Sequence, residues 1–394
     1  MNIDFRKSSR FGSHILYGST LINIWKLAVD NNFKIISHFL PKFLLVIPFA
    51  ILNIPFIYLE KILYNRKIRQ TEIKSPIFIL GYPRSGTTFL MYLMSKDPRF
   101  AFCKFYECMG PHVMFTFGGV LRFIASKVLP KTRPMDNLEL GADVPKEEEF
   151  ALGNMGIESM ANAIYFPTNF SNYFDRFVLF KGDPSDRQNF SNNIIWLFKK
   201  LTLKNNHKQL LLKSPFNTGR VKLLLELFPD AKFIHIHRHP YSVYCSNEKL
   251  YESVMPQVAF QEIGNTEMEN HIFYTYKETM KQYFEDRKLL TKENLYEMRY
   301  ADFVKHPLEL LKDIYAQLNI SDFDKVKSLY ADELKNYKNY QTNIHKDDEL
   351  KKAKVYDEWK FVYETLGYAR SNQQPEASDW SKRNTDLTDL TDGH

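Results

Sequence analysis

The 394-residue sequence contains only three cysteines and little excess charge. Cys103, Cys108 and Cys245 cannot all pair with one another and lack the spacing of metal ligands, so we expect a reducing compartment. The net charge of +7 is too small to indicate a nucleic-acid partner by itself, although it suits an anionic ligand or an acidic membrane surface. Internal repeats and low-complexity tracts are also missing, and the 44% hydrophobic content is typical of a globular protein.

The first 75 residues lack a recognisable signal peptide, because their apolar stretch starts late and no small-residue cleavage site follows it. That stretch, residues 43–59, is uncharged but holds two prolines and an asparagine, and it has the minimum length for a membrane-spanning helix. Basic residues flank it on both sides, so the positive-inside rule assigns no orientation. Two interpretations stay open. Either kinked helices lie partly in the bilayer, with residues 35–65 contacting the membrane surface, or a hydrophobic helical pair packs on the following domain.

After Ser75 the sequence alternates between strand and helix patterns. Short apolar runs predict strands at 76–81, 100–103, 209–213, 231–237 and 295–300. Helical patterns lie between them, at 86–96, 109–129, 190–204, 217–228, 240–252, 267–290 and 307–318. Strands of this kind, separated by helices, predict an α/β fold whose central parallel β-sheet is flanked by helices. We divide the chain into an apolar helical segment at 1–75, a main domain at 76–370 and a polar tail at 371–394 that is expected to be disordered.

Residues 81–88, Gly-Tyr-Pro-Arg-Ser-Gly-Thr-Thr, form a glycine loop between a predicted strand and a predicted helix. Unpaired backbone N–H groups and the positive end of the helix dipole make such a loop a cradle for phosphate. Gly81 and Gly86 have the Walker spacing, but Thr87 occupies the position where a P-loop NTPase needs lysine. The sequence therefore predicts a P-loop-like phosphate site that is not suited to Mg-ATP chemistry.

A second anion-binding pattern lies at the end of the predicted strand 231–237. Arg238 follows this strand, Pro240 is suited to the first turn of a helix, and Ser246 lies two helical turns after Arg238. A guanidinium and a hydroxyl so arranged can bind one phosphate together. Taken alone, the two residues are better explained as a strand-end arginine in an ion pair and a helix-facing serine.

Together, the two patterns resemble the sulfotransferases that use 3′-phosphoadenosine 5′-phosphosulfate (PAPS). The similarity runs from about Pro76 to Leu318 and includes Lys213-Ser214-Pro215 on the middle strand. It is strongest to bacterial members that carry the segments Arg-Pro-Met-Asp-Asn (133–137) and Pro-Lys-Glu-Glu-Glu-Phe-Ala-Leu (145–152), and some relatives sulfate sterols or other lipophilic alcohols. The resemblance implies transfer of a sulfuryl group from PAPS to a hydroxyl, without a metal. A sterol or lipid alcohol is the favoured acceptor, and a carbohydrate or phenol is the alternative.

The resemblance also implies which residues hold the nucleotide. Arg238 and Ser246 would bind the 3′-phosphate, and Arg84 would stabilise negative charge on the leaving phosphate. The 5′-phosphosulfate would lie against the backbone N–H groups and hydroxyls of Ser85, Gly86, Thr87 and Thr88.

Three further positions match functional residues of the family. Phe89 matches an aromatic residue that stacks on adenine, and Tyr300 matches a tyrosine near that base. Lys213 matches a strand lysine that contacts the transferring sulfuryl group. Each also has a structural explanation, as core aromatics for Phe89 and Tyr300 and as a solvated strand end for Lys213.

Sulfuryl transfer needs a general base for the acceptor proton, and several residues are candidates. Cytosolic members place a histidine at the position of Pro215, which cannot act, so we expect a carboxylate instead. Adjacent carboxylates and partial burial both raise a carboxyl pKa toward the range of a base, whereas an acidic first helical turn is the structural explanation for the triplet 147–149. We rank Glu148 and Glu149 first. The other candidates are Glu147, Glu107 and His112.

Two weaker patterns are also present. His235, His237 and His239 alternate and so imitate a metal site, but we expect no metal because an apolar sheet would bury them without a carboxylate partner. The C-terminal Arg-Lys-Gly segment that completes the 3′-phosphate site of cytosolic members is not recognisable. Its candidate replacements are Lys351, Lys352 and Lys354.

Two alternative functions were weighed. A P-loop kinase or NTPase would need lysine at position 87 and a strand-end aspartate for Mg²⁺, which the strand ending at His237 does not offer. A non-catalytic, membrane-bound nucleotide-binding protein could keep both phosphate sites without a working base. We expect a small-molecule or lipid acceptor, no nucleic-acid partner, and a cytoplasmic protein that is peripheral on the cytoplasmic membrane face. The oligomeric state is left open.

Overall fold

The computed structural model describes residues 1–5, 14–132, 138–337 and 348–370. Its strands are β1 (Ile77–Leu80), β2 (Phe100–Ala101), β3 (Gln209–Lys213), β4 (Lys232–His237) and β5 (Leu295–Arg299). Its α-helices are α1 (Leu21–Asp30), α2 (Leu40–Gln70), α3 (Thr87–Met94), α4 (Phe105–Met109), α5 (Gly118–Val128), α6 (Glu148–Met155), α7 (Ala161–Tyr165), α8 (Phe170–Phe177), α9 (Pro184–Lys204), α10 (Val221–Leu227), α11 (Pro240–Val258), α12 (Asn265–Asp286), α13 (Tyr300–Lys305), α14 (Pro307–Gln317), α15 (Lys327–Lys335) and α16 (Glu349–Leu366). The segment 133–137 and the tail 371–394 lie outside the described residues.

The strands form one parallel sheet in the order β2-β3-β1-β4-β5. The central strand β1 pairs with β3 on one side and with β4 on the other. From β1 the chain runs to β2 and β3 on one side of it and then crosses to β4 and β5 on the other side, so the carboxyl end of β1 lies at the topological switch point where parallel α/β sheets bind ligands. The predicted α/β fold with a helix-flanked parallel sheet is confirmed, and each predicted strand lies within a few residues of an observed one.

Side chains of β1 alternate between two cores, one on each face of the sheet. Phe78 joins the larger core, where its ring stacks on that of Phe233 with 5.6 Å between centroids. Ile77 and Ile79 point to the opposite face, into the smaller core. Helices cover both faces, which explains why β1 is a continuous apolar run rather than an alternating one.

The prediction of a single helix at 109–129 is wrong for residues 110–117. The structure instead ends α4 at Met109 and begins α5 at Gly118. Pro111 cannot donate a backbone hydrogen bond, and the N–H groups of Phe115 and Thr116 both donate to the carboxylate of Glu60 on α2. This segment therefore finds its hydrogen-bond partners outside a helix.

Helix α2 continues through both prolines of the apolar stretch. Its 31 residues include Pro48 and Pro55 inside the helix, and among the described residues it is the one helix long and apolar enough to cross a membrane. One face packs on the rest of the protein and is anchored by a buried ion pair between Glu60 and Lys200 of α9. The other face exposes large apolar side chains, namely Leu40, Leu44, Phe49, Ile51, Leu52, Ile54, Tyr58, Leu59, Ile62 and Leu63. Helix α2 is thus both a core helix and an apolar surface.

Candidate active site

Four strands deliver their carboxyl ends to one edge of the sheet. The glycine loop 81–88 follows β1, Lys213 ends β3, Arg238 follows β4, and Tyr300 follows β5. Because all four strands are parallel, these groups meet above the switch point of the sheet. The sequence motifs that lie far apart in the chain therefore share one site.

Gly86 is one of two positions in the loop, with Gly81, where a side chain would clash. Its φ of 100° lies in the left-handed region, and a Cβ added there would lie 2.2 Å from Cδ2 of Tyr300. The Tyr300 ring also lies 5.1 Å from the guanidinium carbon of Arg238. One aromatic ring therefore contacts both the glycine loop and the strand-end arginine.

The loop presents backbone donors at the N-terminus of α3. The N–H of Ser85 donates to the carbonyl of Tyr82 at 3.1 Å and closes the turn. The next three N–H groups, those of Gly86, Thr87 and Thr88, stand at the start of α3, where the first turn has no intrahelical acceptors. They form the part of the loop best placed to receive an anion.

Arg84 and Ser246 are in direct contact, which the sequence did not indicate. The Nε of Arg84 donates to the Oγ of buried Ser246 at 2.9 Å, so the loop arginine reaches across to α11. Arg84 and Arg238 line the same cavity. Two guanidinium groups thus line this cavity, and one of them holds the buried hydroxyl of Ser246.

The cavity at this site has a volume of about 290 Å³ and two chemically different groups of lining residues, which are called its polar end and its apolar end. The polar end contains the loop, both arginines and Glu147. Phe89 lines it too, although its ring also packs on those of Phe303 and Tyr337, so the structure fits both explanations for this residue. The apolar end consists of Ile15, Phe150, Ile164, Tyr165, Phe216, Leu250, Tyr251, Val254 and Val258, and Lys146 lies over the Phe150 ring.

Of the three consecutive glutamates, Glu147 faces the cavity. Its Oε1 accepts a hydrogen bond from Nζ of Lys213 at 2.5 Å, and the same Nζ lies 3.3 Å from Oγ1 of Thr88. Lys213 is buried, so the alternative explanation of this residue as a solvated strand end is wrong. The carboxylate of Glu147, the ammonium of Lys213 and the hydroxyl of Thr88 therefore form a chain of contacts beside the cavity.

Glu148 is buried beside the end of β3. Its carboxylate accepts the backbone N–H of Lys213 at 3.0 Å and the side-chain amide of Asn217 at 2.8 Å. Burial raises the pKa of Glu148 to about 7. It is not among the residues that line the cavity.

Glu149 is held in a buried ion pair. Its two oxygens lie 2.6 and 3.0 Å from the guanidinium nitrogens of Arg220, and they also accept hydrogen bonds from Ser214 and from the N–H of Met160. Burial opposes ionisation here, but Arg220 outweighs it and the pKa of Glu149 is lowered. All of these contacts are internal to the fold.

Glu107 and His112 lie away from this cavity. Glu107 is buried and accepts hydrogen bonds from the N–H of Lys104 and the hydroxyl of Tyr106, and burial raises its pKa. His112 contacts the carbonyl of Asn154 at 3.3 Å, and burial lowers its pKa to about 4. Neither side chain lines the cavity next to the glycine loop.

The alternating histidines have three separate partners. His235 lies 3.3 Å from Glu297 on β5, a carboxylate partner that the sequence did not reveal. His237 contacts the hydroxyl of Tyr368, and His239 contacts the carbonyl of Ala369. Within residues 1–5, 14–132, 138–337 and 348–370, no three His, Cys, Asp or Glu side chains are grouped as metal ligands.

The C-terminal lysines form ion pairs around α16. Lys351 pairs with Glu248 of α11 and Lys354 with Glu269 of α12, both at 2.9 Å. Lys352 pairs with a neighbour on its own helix. Their role at a 3′-phosphate stays a prediction.

A glycine loop between strand and helix, at the switch point of a parallel sheet and with cations on the neighbouring strand ends, defines a P-loop-like nucleotide-binding protein. A family model described as "Sulfotransferase family" matches residues 76–325, more than half of the chain. The chain therefore belongs to the sulfotransferase family and is a sulfotransferase enzyme. Membership of this family implies PAPS as the sulfuryl donor.

Similar proteins agree with this assignment. The omega-hydroxy-beta-dihydromenaquinone-9 sulfotransferases Stf3 of Mycobacterium tuberculosis and Mycobacterium bovis are each 30% identical over 80% of this chain and 81% of their own. The fold matches crystal structures of sulfotransferase STF9 from Mycobacterium avium (TM-score 0.62, 18% identity, 78% of this chain and 81% of that one). It also matches STF1 from Mycobacterium tuberculosis (TM-score 0.60, 17% identity, 80% and 87%).

The raised pKa of Glu148 predicts a pH-dependent stability. The pKa is about 7 in the folded protein against 4.5 for an ordinary glutamate, so between about pH 5 and about pH 7 the unfolded state binds fewer protons. The contribution of Glu148 to the unfolding free energy therefore falls as pH rises, by at most about 3 kcal/mol. We expect Glu148→Gln to gain stability relative to wild type across this range, measured by urea unfolding at both ends of it.

Glu285→Gln is the control, because this carboxylate of α12 is exposed, in contrast to the buried carboxylate of Glu148. It should keep a constant stability difference from wild type between the two pH values. A constant difference for Glu148→Gln as well would contradict the raised pKa.

Proposed function

We propose that this sulfotransferase transfers the sulfuryl group of PAPS to a hydroxyl of a lipophilic acceptor, a sterol or another lipid alcohol, at a membrane surface. The observation that carries the proposal is the two-ended cavity, with anion-binding groups at one end and apolar side chains at the other. A charged donor and an apolar acceptor require these two environments side by side.

The polar end fits the charges of PAPS. The Gly86 cradle, which a side chain would fill, and the N–H groups of Thr87 and Thr88 would hold the 5′-phosphosulfate. Arg238 and Ser246 would hold the 3′-phosphate. Bound PAPS supplies the activated sulfuryl group, and the fixed donors and cations of the protein stabilise the charge that develops on the phosphate side.

We assign the general base to Glu147 ahead of Glu148 and Glu149. Glu147 lines the cavity, whereas the other two use their oxygens to accept internal hydrogen bonds. In this assignment Glu147 takes the proton of the acceptor hydroxyl at a carboxylate oxygen. Lys213, between Glu147 and Thr88, then places a positive charge next to the loop that holds the sulfuryl group.

The apolar end favours an acceptor with a hydrocarbon body. Its aliphatic and aromatic lining could bury such a body while leaving the hydroxyl near Glu147. The name of the Stf3 relatives gives a hydroxylated menaquinone derivative as their acceptor, which supports a lipid-like acceptor for this chain.

Contacts with α2 support delivery from a membrane. Lys42 of α2 donates to the carbonyl of Gln257, which lines the cavity. Tyr17, two residues after the lining residue Ile15, stacks on Phe49 of α2 at 4.5 Å. Because α2 exposes apolar side chains from Leu40 to Leu63, docking of that face on a bilayer would bring the apolar end of the cavity close to lipids.

Arg238→Ala should weaken binding of 3′,5′-ADP by about 1–3 kcal/mol, or about 5–150-fold in Kd, because charge-assisted hydrogen bonds to the 3′-phosphate are lost. Calorimetry measures the change. Binding of 5′-ADP, which lacks the 3′-phosphate, should be affected much less. Arg122→Ala, at an exposed ion pair on α5, is the control variant. An equal loss for both nucleotides would contradict the 3′-phosphate assignment.

Glu147→Gln should slow sulfuryl transfer by about 10²–10⁴-fold, because the variant cannot accept the proton. Its affinity for 3′,5′-ADP should stay near that of wild type. Radiolabelled transfer from PAPS to a panel of sterols, lipid alcohols, phenols and sugars measures the rate and identifies the acceptor class. If Glu147→Gln keeps full activity while Glu148→Gln loses it, the base is Glu148.

Leu52→Glu/Ile62→Glu should reduce co-sedimentation with vesicles of phosphatidylcholine and phosphatidylglycerol by at least about tenfold, because two charges then face the hydrocarbon. Both side chains are more than half exposed on α2, so folding should be retained. Leu289→Glu/Leu350→Glu adds the same charge at exposed leucines elsewhere and should bind as wild type does. If both double variants co-sediment with vesicles to the same extent, α2 is not the membrane contact.

A further inference from the structure

A second cavity lies outside the active site, between α1, α2 and α9, and has a volume of about 740 Å³. Ile22 of α1, Ile54 and Tyr58 of α2, and Trp196 of α9 give it apolar walls. Ile22 and Tyr58 are also among the exposed apolar side chains of α1 and α2. The cavity therefore opens at the surface proposed to meet the bilayer.

The wall of the cavity that α2 forms is apolar at one end and cationic at the other. Ile54 and Tyr58 are followed on the same stripe by Lys61, Asn65 and Arg69, each three or four residues from the last. From Ile54 to Arg69 the helix rises about 22 Å, at 1.5 Å per residue. An apolar end and a cationic end thus lie on one wall, separated by a distance comparable with the length of a lipid molecule in one leaflet.

The two cations at this end have no carboxylate within ion-pair distance among the described residues, unlike Lys200 in the same cavity, which pairs with Glu60. The ammonium of Lys61 instead lies 5.7 Å from the centroid of the Tyr58 ring. Lys61 and Arg69 therefore leave two positive charges uncompensated at the polar end. This charge is complementary to a phosphate group.

We propose that this cavity binds one anionic glycerophospholipid. Its acyl chain lies against Ile54, Tyr58 and Trp196, and its phosphate lies between Lys61 and Arg69, next to Asn65. Apolar burial and charge complementarity then act on one amphiphile, which enters from the bilayer through the apolar mouth. The site lies between α1, α2 and α9, apart from the cavity proposed for sulfuryl transfer.

The test uses dihexanoylphosphatidylglycerol below its micelle concentration, titrated into the full chain and followed by calorimetry and native mass spectrometry. We expect one bound lipid per chain, and binding of dihexanoylphosphatidylcholine at least tenfold weaker. Lys61→Gln/Arg69→Gln should weaken phosphatidylglycerol binding at least tenfold. Arg66→Gln/Lys67→Gln removes the same charge from exposed positions of α2 outside the cavity and should bind as wild type does.

A second pair of variants tests the cavity by volume instead of charge. Asn193→Trp places a large ring at the cavity wall and should block the lipid, whereas Asn192→Trp, at the exposed neighbouring position, should not. If Lys61→Gln/Arg69→Gln and Arg66→Gln/Lys67→Gln weaken lipid binding equally, the binding is a diffuse electrostatic attraction and the proposal is overturned. Competition by inorganic phosphate as strong as that by the lipid would replace it with a simple anion site. Because the readout is lipid binding, it is independent of the sulfuryl-transfer assays.

Discussion

The buried ion pair between Glu149 and Arg220 holds the beginning of α6 against the turn that follows β3. Both side chains are almost fully enclosed, and loss of one partner of such a pair leaves an uncompensated charge that costs about 3–5 kcal/mol. The neighbouring Glu148 adds a second tie through the backbone N–H of Lys213. With two consecutive carboxylates fixed inward, the preceding residue, Glu147, is left facing Lys213 and the cavity. The position of the candidate base is thus a consequence of contacts made by its two neighbours.

Much of the fold, and the placement of the glycine loop and Arg238 at one cavity, could be predicted from the sequence, because the signals are local. The apolar runs mark the strands, and a glycine loop between strand and helix needs only eight residues to be recognised. Which of the three glutamates 147–149 faces the cavity could not be predicted in this way. It depends on Arg220, 71 residues beyond Glu149 in the chain, and on Asn217, and no local pattern shows which carboxylate these residues hold. The Arg84–Ser246 contact, across 162 residues, was missed for the same reason.

Helix α2 shows the same limit in another form. Its stretch 43–59 is apolar on all sides, so periodicity cannot separate the face that packs on the protein from the face that is exposed. Only the partner residues decide this, through the Glu60–Lys200 pair and the N–H groups of Phe115 and Thr116. These contacts also explain why the predicted helix at 109–129 is interrupted. The packed face agrees with a helix that packs on the following domain, and membrane contact through the exposed face stays a prediction.

The Tyr300 ring contacts the backbone of Gly86 on the loop and the guanidinium of Arg238 on the next strand. A movement of either group against the ring is opposed by the other, so the aromatic side chain acts as a rigid spacer between them. If each group binds one phosphate of the donor, this spacer fixes the separation that a nucleotide must match. Discrimination among adenine nucleotides would then come from a molecular length as well as from charge.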